Sequence, residues 1–395
     1  MKIYEIGTGY TPIPAQMSAA TEIVVEELTK AFLAQGINVE IVDICSSKRA
    51  PHQLPITEVK VPSVFSRSDV RLGLMHKMKR MVYSLALAFK LKAILKASDE
   101  KVVLHFHNQY NMFFYLLCTP RRWRAKAVAV YTNHNGVWNL PWEQAEGVLK
   151  KRYFQEIACV KAADMSFVLN ANTKENMTSR LGVAGDRVVR IGNGVNTNVY
   201  TPLSKERIAA IKERYHLDGK RVILQVGSVN ENKGQGRSLE WLADLLHENR
   251  DLVFAYAGDV VSQEYFDEMT AAVKELGLEE QVRYLGTVSP GAEINELYNM
   301  ASATIFSSRY EGFPLVCIES LSAGVPVLIC SDLPLDFGDG CISCSVTDFR
   351  SVVTEQILAD DARAVLSARA RANAVNNHTW ARIARDYRAA MESVF

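Results

Sequence analysis

No apolar run in this 395-residue sequence is long enough to cross a bilayer. The nearest candidate, Met81 to Leu95, is broken by Lys90 and Lys92, which argues against a transmembrane segment. The opening MKIYEIGTGY has one lysine followed by polar residues and glycines, so it lacks the basic and then apolar layout of a secretory signal and implies no export. Cysteine is sparse. Seven thiols, an odd number spread along the chain, argue for reduced cysteines in a cytosolic setting. Cys341 and Cys344 form one Cys-x-x-Cys with no second pair, which reads as two ordinary thiols near a strand. Short internal repeats are also missing, and so is a strong net charge. A uniformly basic chain would suggest nucleic acid; this one sums to +1.

That small sum hides an asymmetry. Residues 1 to 190 carry 26 Lys and Arg against 16 Asp and Glu, and the remainder carries 19 against 28. A basic first half points to an anionic partner, such as a lipid surface or a diphosphate-bearing acceptor. The length exceeds one ordinary hydrophobic core, so two domains of similar size are expected. With 48% hydrophobic and 23% charged residues, the composition suits a globular protein that buries large cores.

The first forty residues read as strand, loop, helix and strand, with Ile23, Leu28, Ala31 and Phe32 near helical spacing and Gly36 as the stop. KVVLHFH, AVAVYTNH and MSFVLN then look like buried parallel strands with polar ends. Ligands of parallel sheets bind beyond the carboxyl ends of the strands, which would set His105, His107 and His134 along one rim. The plan restarts after IGNGVNTNVYTP with RVILQVGSVNENKG, LVFAYAGD, VRYLGTV, ATIFSS and VPVLIC. The connection therefore falls near residues 190 to 202. The last helix, with Trp380, Ile383, Tyr387 and Met391 at spacings of three and four, needs a surface on which to bury that stripe.

Three features carry chemistry. In SSRYEGFPLVCIESLSAGVPVLI, Glu311 and Glu319 lie between a strand and a helix, and both are expected to face one cleft. If the chain turns helical at Pro314, the amides of Leu315 and Val316 sit at a helix N-terminus, where free N–H groups favour a phosphate. The second is the turn from Gly227 to Gly234, in which Lys233 can meet the growing negative charge of a diphosphate leaving group without a metal. The third is the histidine set. His105 and His107 alternate on one strand and share a face. His107 is nearer the strand end, and a metal pair there is weaker than polar lining because no third ligand lies nearby in sequence.

Together with VGSVNENKG, AGD, the Leu-Gly at Gly286 and the early NGV, these segments resemble glycosyltransferase family 4, the retaining enzymes of GT-B fold. The resemblance covers nearly the whole chain. It implies an α/β architecture of two Rossmann-like, doubly wound domains facing a cleft. Residues 1–192 would form the acceptor domain, 193–376 the nucleotide-sugar donor domain, and 377–395 a helix packing back on the first. It places Glu311 by the donor sugar and Glu319 on the ribose hydroxyls, with Gly312, Phe313, Leu315 and Val316 around the sugar and diphosphate. His134 would orient and polarise at the sugar and β-phosphate, making His134, Lys233 and Glu311 the catalytic set. The family has an arginine five residues before the lysine, whereas this chain has Ser228; either Arg237 or the amides of Asn230 and Asn232 would compensate. Family members also commonly carry paired glycines before the first helix, and Ser18 and Ala19 stand there. Ser18, His107 and Asn108 are the expected acceptor contacts.

The implied reaction is transfer of a hexose-type sugar from a nucleoside diphosphate, the UDP form favoured, to an acceptor hydroxyl, with no metal or other cofactor. Residues 71 to 101 hold eight Lys and Arg with only Asp99 and Glu100 as acids, and Met78, Met81, Val82, Leu85 and Phe89 form a helical stripe. Lys79, Arg80 and Lys90 lie largely off it. Such a helix either lies on a membrane surface or packs its stripe into the core with its basic side wet. The cluster Arg121, Arg122, Arg124 and Lys126 favours a lipid-linked anionic acceptor in polysaccharide or glycolipid assembly. The setting is then the cytoplasm, at the inner face of the membrane. Three rivals stand beside this. A nicotinamide oxidoreductase lacks its third glycine in GTGYTP. A phosphorylase of the same fold would need a lysine-bound pyridoxal group, and a binding module would hold the nucleotide sugar without turnover.

Overall fold

The computed structural model describes residues 1–14, 20–66 and 73–395. Its contacts divide the chain into two units: Met1–Gly194 together with Trp380–Phe395, and Val195–Thr379. The sheet of the first unit has strands β1 (Lys2–Ile6), β2 (Asn38–Ile44), β3 (Ile56–Val59), β4 (Val102–Phe106), β5 (Ala127–Thr132), β6 (Met165–Val168) and β7 (Val188–Arg190). All pair in parallel, in the order β3-β2-β1-β4-β5-β6-β7. Helices cover both faces, which is why β4 and β5 are buried at every position and read as unbroken apolar runs. Strand order reverses between β1 and β4, so the loops leaving those strands diverge and open a crevice at their carboxyl ends.

The helix Ala20–Ala34 buries Val24, Val25, Leu28, Ala31 and Phe32. Ile23, expected on that face, is only half-buried, because the core arc is centred one helical step further round. The C-terminal helix Trp380–Val394 buries Trp380, Ile383, Ala384, Tyr387 and Met391, and these join Ile3, Phe32, Val103 and Phe167 in one core. Gly194 makes this seat possible. A Cβ there would stand 2.5 Å from Cδ2 of Trp380.

The helix Gly73–Ala97 does not pack the expected stripe into the core. Tyr83, Leu87, Ala88, Leu91 and Leu95 face the core, whereas Met78, Met81, Leu85 and Phe89 are exposed. Sequence periodicity singles out only the stripe of Met78, Met81, Val82, Leu85 and Phe89 and does not pick out the core-facing arc. Lys79 corrects the expectation of a wet basic side: it is buried, and its Nζ donates to the carbonyl of Tyr10 at 2.8 Å. Arg71 and Leu72, the start of that expected segment, lie outside the described residues.

The second unit has β8 (Arg221–Val226), β9 (Leu252–Ala257), β10 (Val282–Tyr284), β11 (Ala303–Phe306), β12 (Val327–Ile329) and β13 (Cys341–Ser343). They form another parallel sheet, in the order β10-β9-β8-β11-β12-β13, with its own reversal between β8 and β11. The loops after β8 and β9 press against each other. A Cβ on Gly258, whose φ is +147°, would lie 2.2 Å from the carbonyl oxygen of Gly227, so only glycine permits the approach. All seven cysteines are free thiols.

Candidate functional site

In the second unit, the loop after β8 and the segment after β11 meet at the reversal point. Lys233 ends the first. Its backbone N–H reaches Oδ1 of Asn230 at 3.2 Å, and its carbonyl accepts from the amide of Gln225 and the hydroxyl of Ser307. The turn closes through Gly234 at φ +69°, where a Cβ would stand 2.7 Å from the Ser307 carbonyl oxygen. So fixed, Lys233 directs its ammonium onto the Glu311 carboxylate.

Beyond Glu311 the helix Leu315–Ser322 begins. Pro314, expected as the first helical residue, is instead the N-cap, with φ −73° and ψ 109°, one position before Leu315. The shift leaves the N–H groups of Leu315 and Val316 without a hydrogen-bond partner among the described residues, while Cys317 N–H already reaches the Pro314 carbonyl at 3.2 Å. Two free amides at a helix start form an anion seat. Glu319, one turn on, accepts from the hydroxyl of Tyr298 at 3.0 Å. Burial pushes its carboxyl up to about 7, against the hydroxyls of Tyr200 and Tyr298, which favour the ionised form. Burial pushes the Cys317 thiol well up, and the charges of Cys341, Glu311, Lys233 and Glu319 act on it as well.

The substitutes for the missing arginine separate clearly. The Asn230 amide bonds the Ser228 hydroxyl at 3.0 Å, and the side chain of Asn232 is paired at both ends with the backbone of Tyr310. Both are spent locally. Arg237 has no ion pair among the described residues and lies close enough to Cys330 to influence its thiol. Arg309, which sequence reading missed, lines a cavity of about 480 Å³ with Ser228, Asn230, Lys233 and Tyr310. Its signal was a second cation two residues before Glu311, on the strand-to-helix segment already singled out. Gly286 is not in that lining. Its carbonyl accepts from Gly258 N–H at 2.9 Å, tying the loop after β10 to the glycine pair behind the Lys233 turn. Phe313 packs edge-on against Phe337, with ring centroids 5.1 Å apart.

In the first unit, the expected rim of three histidines resolves into a buried chain. His105 lies inside β4, fully buried, with Nδ1 2.9 Å from Oε1 of Glu5 and Nε2 2.7 Å from the Thr132 hydroxyl. His107 is buried too. Its Nε2 lies 2.7 Å from Oε2 of Glu5 and its Nδ1 3.0 Å from Nε2 of His134. Both nitrogens of His107 are therefore engaged inside the protein, which corrects its expected place as an acceptor contact: no ring nitrogen is left to offer. Asn108 differs in the same way. Its Oδ1 caps the helix Gln109–Cys118 by accepting from Tyr110 N–H, and its amide donates to the Tyr10 hydroxyl at 2.9 Å. Ser18 lies outside the described residues.

His134 rides on a loop fastened from below. Tyr131 and Asn133 donate to Oε1 of the buried Glu156, at 2.6 and 2.7 Å, and Asn135 donates to Oε2 at 2.8 Å. Burial raises the Glu156 carboxyl, while hydrogen bonds from Tyr131, Trp138 and Asn135 work against the rise. Sequence reading missed Glu5 and Glu156. Glu5 was visible as a carboxylate among the buried apolar residues of β1, which is tolerated only with partners, whereas the helix Phe154–Ala162 around Glu156 is mixed in polarity and gave no such signal.

Two family models match successive parts of the chain: Glycosyltransferase Family 4 over residues 21–199, and Glycosyl transferases group 1 over residues 207–334. The chain belongs to glycosyltransferase family 4. This family 4 member is 25% identical over 185 residues to mannosylfructose-phosphate synthase of Agrobacterium fabrum, covering 46% of this chain and 40% of that protein. It is 30% identical over 179 residues to D-inositol 3-phosphate glycosyltransferase 1 of Catenulispora acidiphila, covering 44% and 42%. The chain thus spans less than half the length of these two relatives. Among solved structures, HepE of Anabaena in complex with UDP and glucose superposes with a TM-score of 0.73 at 15% identity, covering 100% of both chains. That likeness establishes the GT-B fold.

Proposed function

We propose that this family 4 member transfers a hexose-type sugar from a nucleoside diphosphate, UDP favoured, to an acceptor hydroxyl with retention of anomeric configuration. The observation that carries the reading is the pairing of Lys233 with Glu311 just before the helix Leu315–Ser322, which has the free amides of Leu315 and Val316 at its start and Glu319 one turn on. Amides and ammonium suit a pyrophosphate, and the carboxylate of Glu319 suits ribose hydroxyls, which donate to it. In the transfer, the bond from the anomeric carbon to the β-phosphate oxygen breaks and a bond to the acceptor oxygen forms on the same face. The acceptor proton passes to the departing phosphate. Lys233 meets the charge growing there, Glu311 lies beside the sugar, and His134 takes the orienting and polarising role. The UDP and glucose named with HepE support the donor class. A melting-temperature panel of UDP, ADP, GDP and their sugars tests it. One diphosphate should raise the melting temperature by several degrees, and Glu319→Ala should remove most of that rise. No response to any of the three would remove the basis for the reading.

The acceptor we place on an anionic membrane, as a lipid-linked glycan in polysaccharide or glycolipid assembly. No helix among the described residues is long and apolar enough to cross a membrane. The solvent-facing Met78, Met81, Leu85 and Phe89 support this, together with the basic Lys77, Lys90, Lys92 and Lys96 of the same helix. Seven free thiols suit a cytoplasmic setting at the inner face. Sedimentation with vesicles of phosphatidylglycerol is expected to carry the protein down, and Met81→Asp with Phe89→Asp to lower the bound fraction at least ten-fold. Equal binding by the double variant would place the contact elsewhere.

A further inference from the structure

We propose that Glu5 and His107 are positioning residues that, acting in series, hold His134 in the one tautomer with its proton on Nε2 and a bare, hydrogen-bond-accepting Nδ1. The proposal rests on the reading above only in taking His134 to face the donor sugar.

Glu5 stands opposite His105 in the register of β1 and β4 and is fully buried. Burial by itself would raise its carboxyl, but the charge of His105 and the hydrogen bonds of His105 and His107 prevail and hold it down to about 2. An ionised carboxylate offers lone pairs only. Each ring nitrogen facing it therefore carries a proton, namely Nδ1 of His105 at 2.9 Å and Nε2 of His107 at 2.7 Å.

The next ring follows by elimination. Burial, and then the repulsion of His105, lower His107 to about 4 against the opposing pull of Glu5, so at neutral pH the ring has a single proton. Glu5 has already claimed it on Nε2. Nδ1 of His107 is consequently bare, and it lies 3.0 Å from Nε2 of His134. Two lone pairs do not face each other at that distance, so Nε2 of His134 donates. Burial, reinforced by His107 and His105, lowers His134 well below the ordinary histidine range, which leaves no second proton for its Nδ1. That atom makes no hydrogen bond among the described residues. A ligand hydroxyl can donate to it, whereas a carboxylate or phosphate oxygen would meet a lone pair.

The far end of the chain is anchored as well. Nε2 of His105 lies 2.7 Å from the Thr132 hydroxyl, which stands 3.3 Å from the Tyr387 hydroxyl on the C-terminal helix. Glu5, His105 and His107 also place possible metal-ligand atoms within 4.8 Å of one another. Their separations of 2.7 and 2.9 Å are hydrogen-bond lengths, shorter than the roughly 3.3 Å between neighbouring ligands around a tetrahedral zinc.

The test is a long-range ¹H–¹⁵N correlation spectrum of full-length protein labelled with ¹⁵N-histidine, at pH 7.5, with His134 assigned by its loss in His134→Gln. His134 and His107 should each show a protonated Nε2 and an unprotonated Nδ1. In Glu5→Gln, whose amide can accept from only one of the two rings, both histidines should redistribute between tautomers. Turnover of UDP-glucose, followed as released UDP, should fall about 10- to 100-fold while affinity for UDP stays within two-fold. A wild-type His134 protonated on Nδ1, or on both nitrogens, overturns the proposal. So does a stoichiometric metal bound to these rings, or a Glu5→Gln protein with unchanged spectrum and turnover. If Glu5→Gln does not fold, the wild-type spectrum decides. Because that spectrum needs no activity, a correct tautomer in a protein without transferase activity refutes the functional reading and leaves this one standing.

Discussion

Lys233→Ala is expected to lower turnover of UDP-glucose by about 10²- to 10³-fold, the scale at which removal of one preorganised donor is felt in a transition state. The lysine is placed before any ligand arrives, because Asn230, Gln225 and Ser307 fix its backbone and Glu311 holds its ammonium. Its removal does more than subtract a cation: it also takes away the ion pair that Lys233 makes with Glu311. Arg309 lines the same cavity as Lys233, so Arg309→Ala should deepen the loss in the Lys233→Ala background. Initial rates of UDP release measure both. A Lys233→Ala protein within three-fold of wild type would show that the leaving group is stabilised elsewhere.

The second large effect is a pH dependence of nucleotide affinity. The Glu319 carboxyl is raised to about 7 by burial, and ribose hydroxyls donate to its ionised form. Binding therefore favours loss of the proton, and affinity for UDP should rise about ten-fold between pH 6 and pH 8. UDP has a phosphate that titrates near the lower end of that window, so Glu319→Gln, which shares that titration, is the reference. Wild type should show the larger rise. The linked stability runs in the opposite direction. An acid with a raised folded value stabilises the free protein fully below its unfolded value near 4.5, and this contribution is lost as pH climbs through 7. Free wild type should thus lose melting temperature between pH 5 and pH 7.5 relative to Glu319→Gln. Parallel pH profiles of the two proteins would contradict the assignment of Glu319 to the ribose.

How much of this was legible in the sequence depended on whether the deciding force was local. Both parallel sheets announced themselves in runs such as KVVLHFH and RVILQV, because a strand covered on both faces needs apolar residues throughout. The stripe of Trp380, Ile383, Tyr387 and Met391 was equally plain, and it is buried. The face chosen by the helix Gly73–Ala97 was not. Two apolar arcs share that helix, and only the neighbours in space select Tyr83, Leu87 and Leu91 for the core over Met81, Leu85 and Phe89. The pairing of Lys233 with Glu311 joins residues 78 positions apart, and no spacing rule predicts it. The same holds for Glu5 and His107, which are 102 apart. Sequence alternation put His105 and His107 on one face, and the rings do lie close, with centroids 4.1 Å apart. Alternation could not show that a carboxylate from the adjacent strand would occupy both and turn a rim into a buried chain.

The central claim is that Lys233 and the amides of Leu315 and Val316 hold a diphosphate while Glu319 holds the attached ribose. Titration calorimetry tests it most directly, with UDP and with uridine, on wild type, Lys233→Ala and Glu319→Ala. The account predicts that Lys233→Ala weakens UDP at least ten-fold and leaves uridine unchanged, whereas Glu319→Ala weakens both; wild-type affinity for UDP in both variants would contradict it.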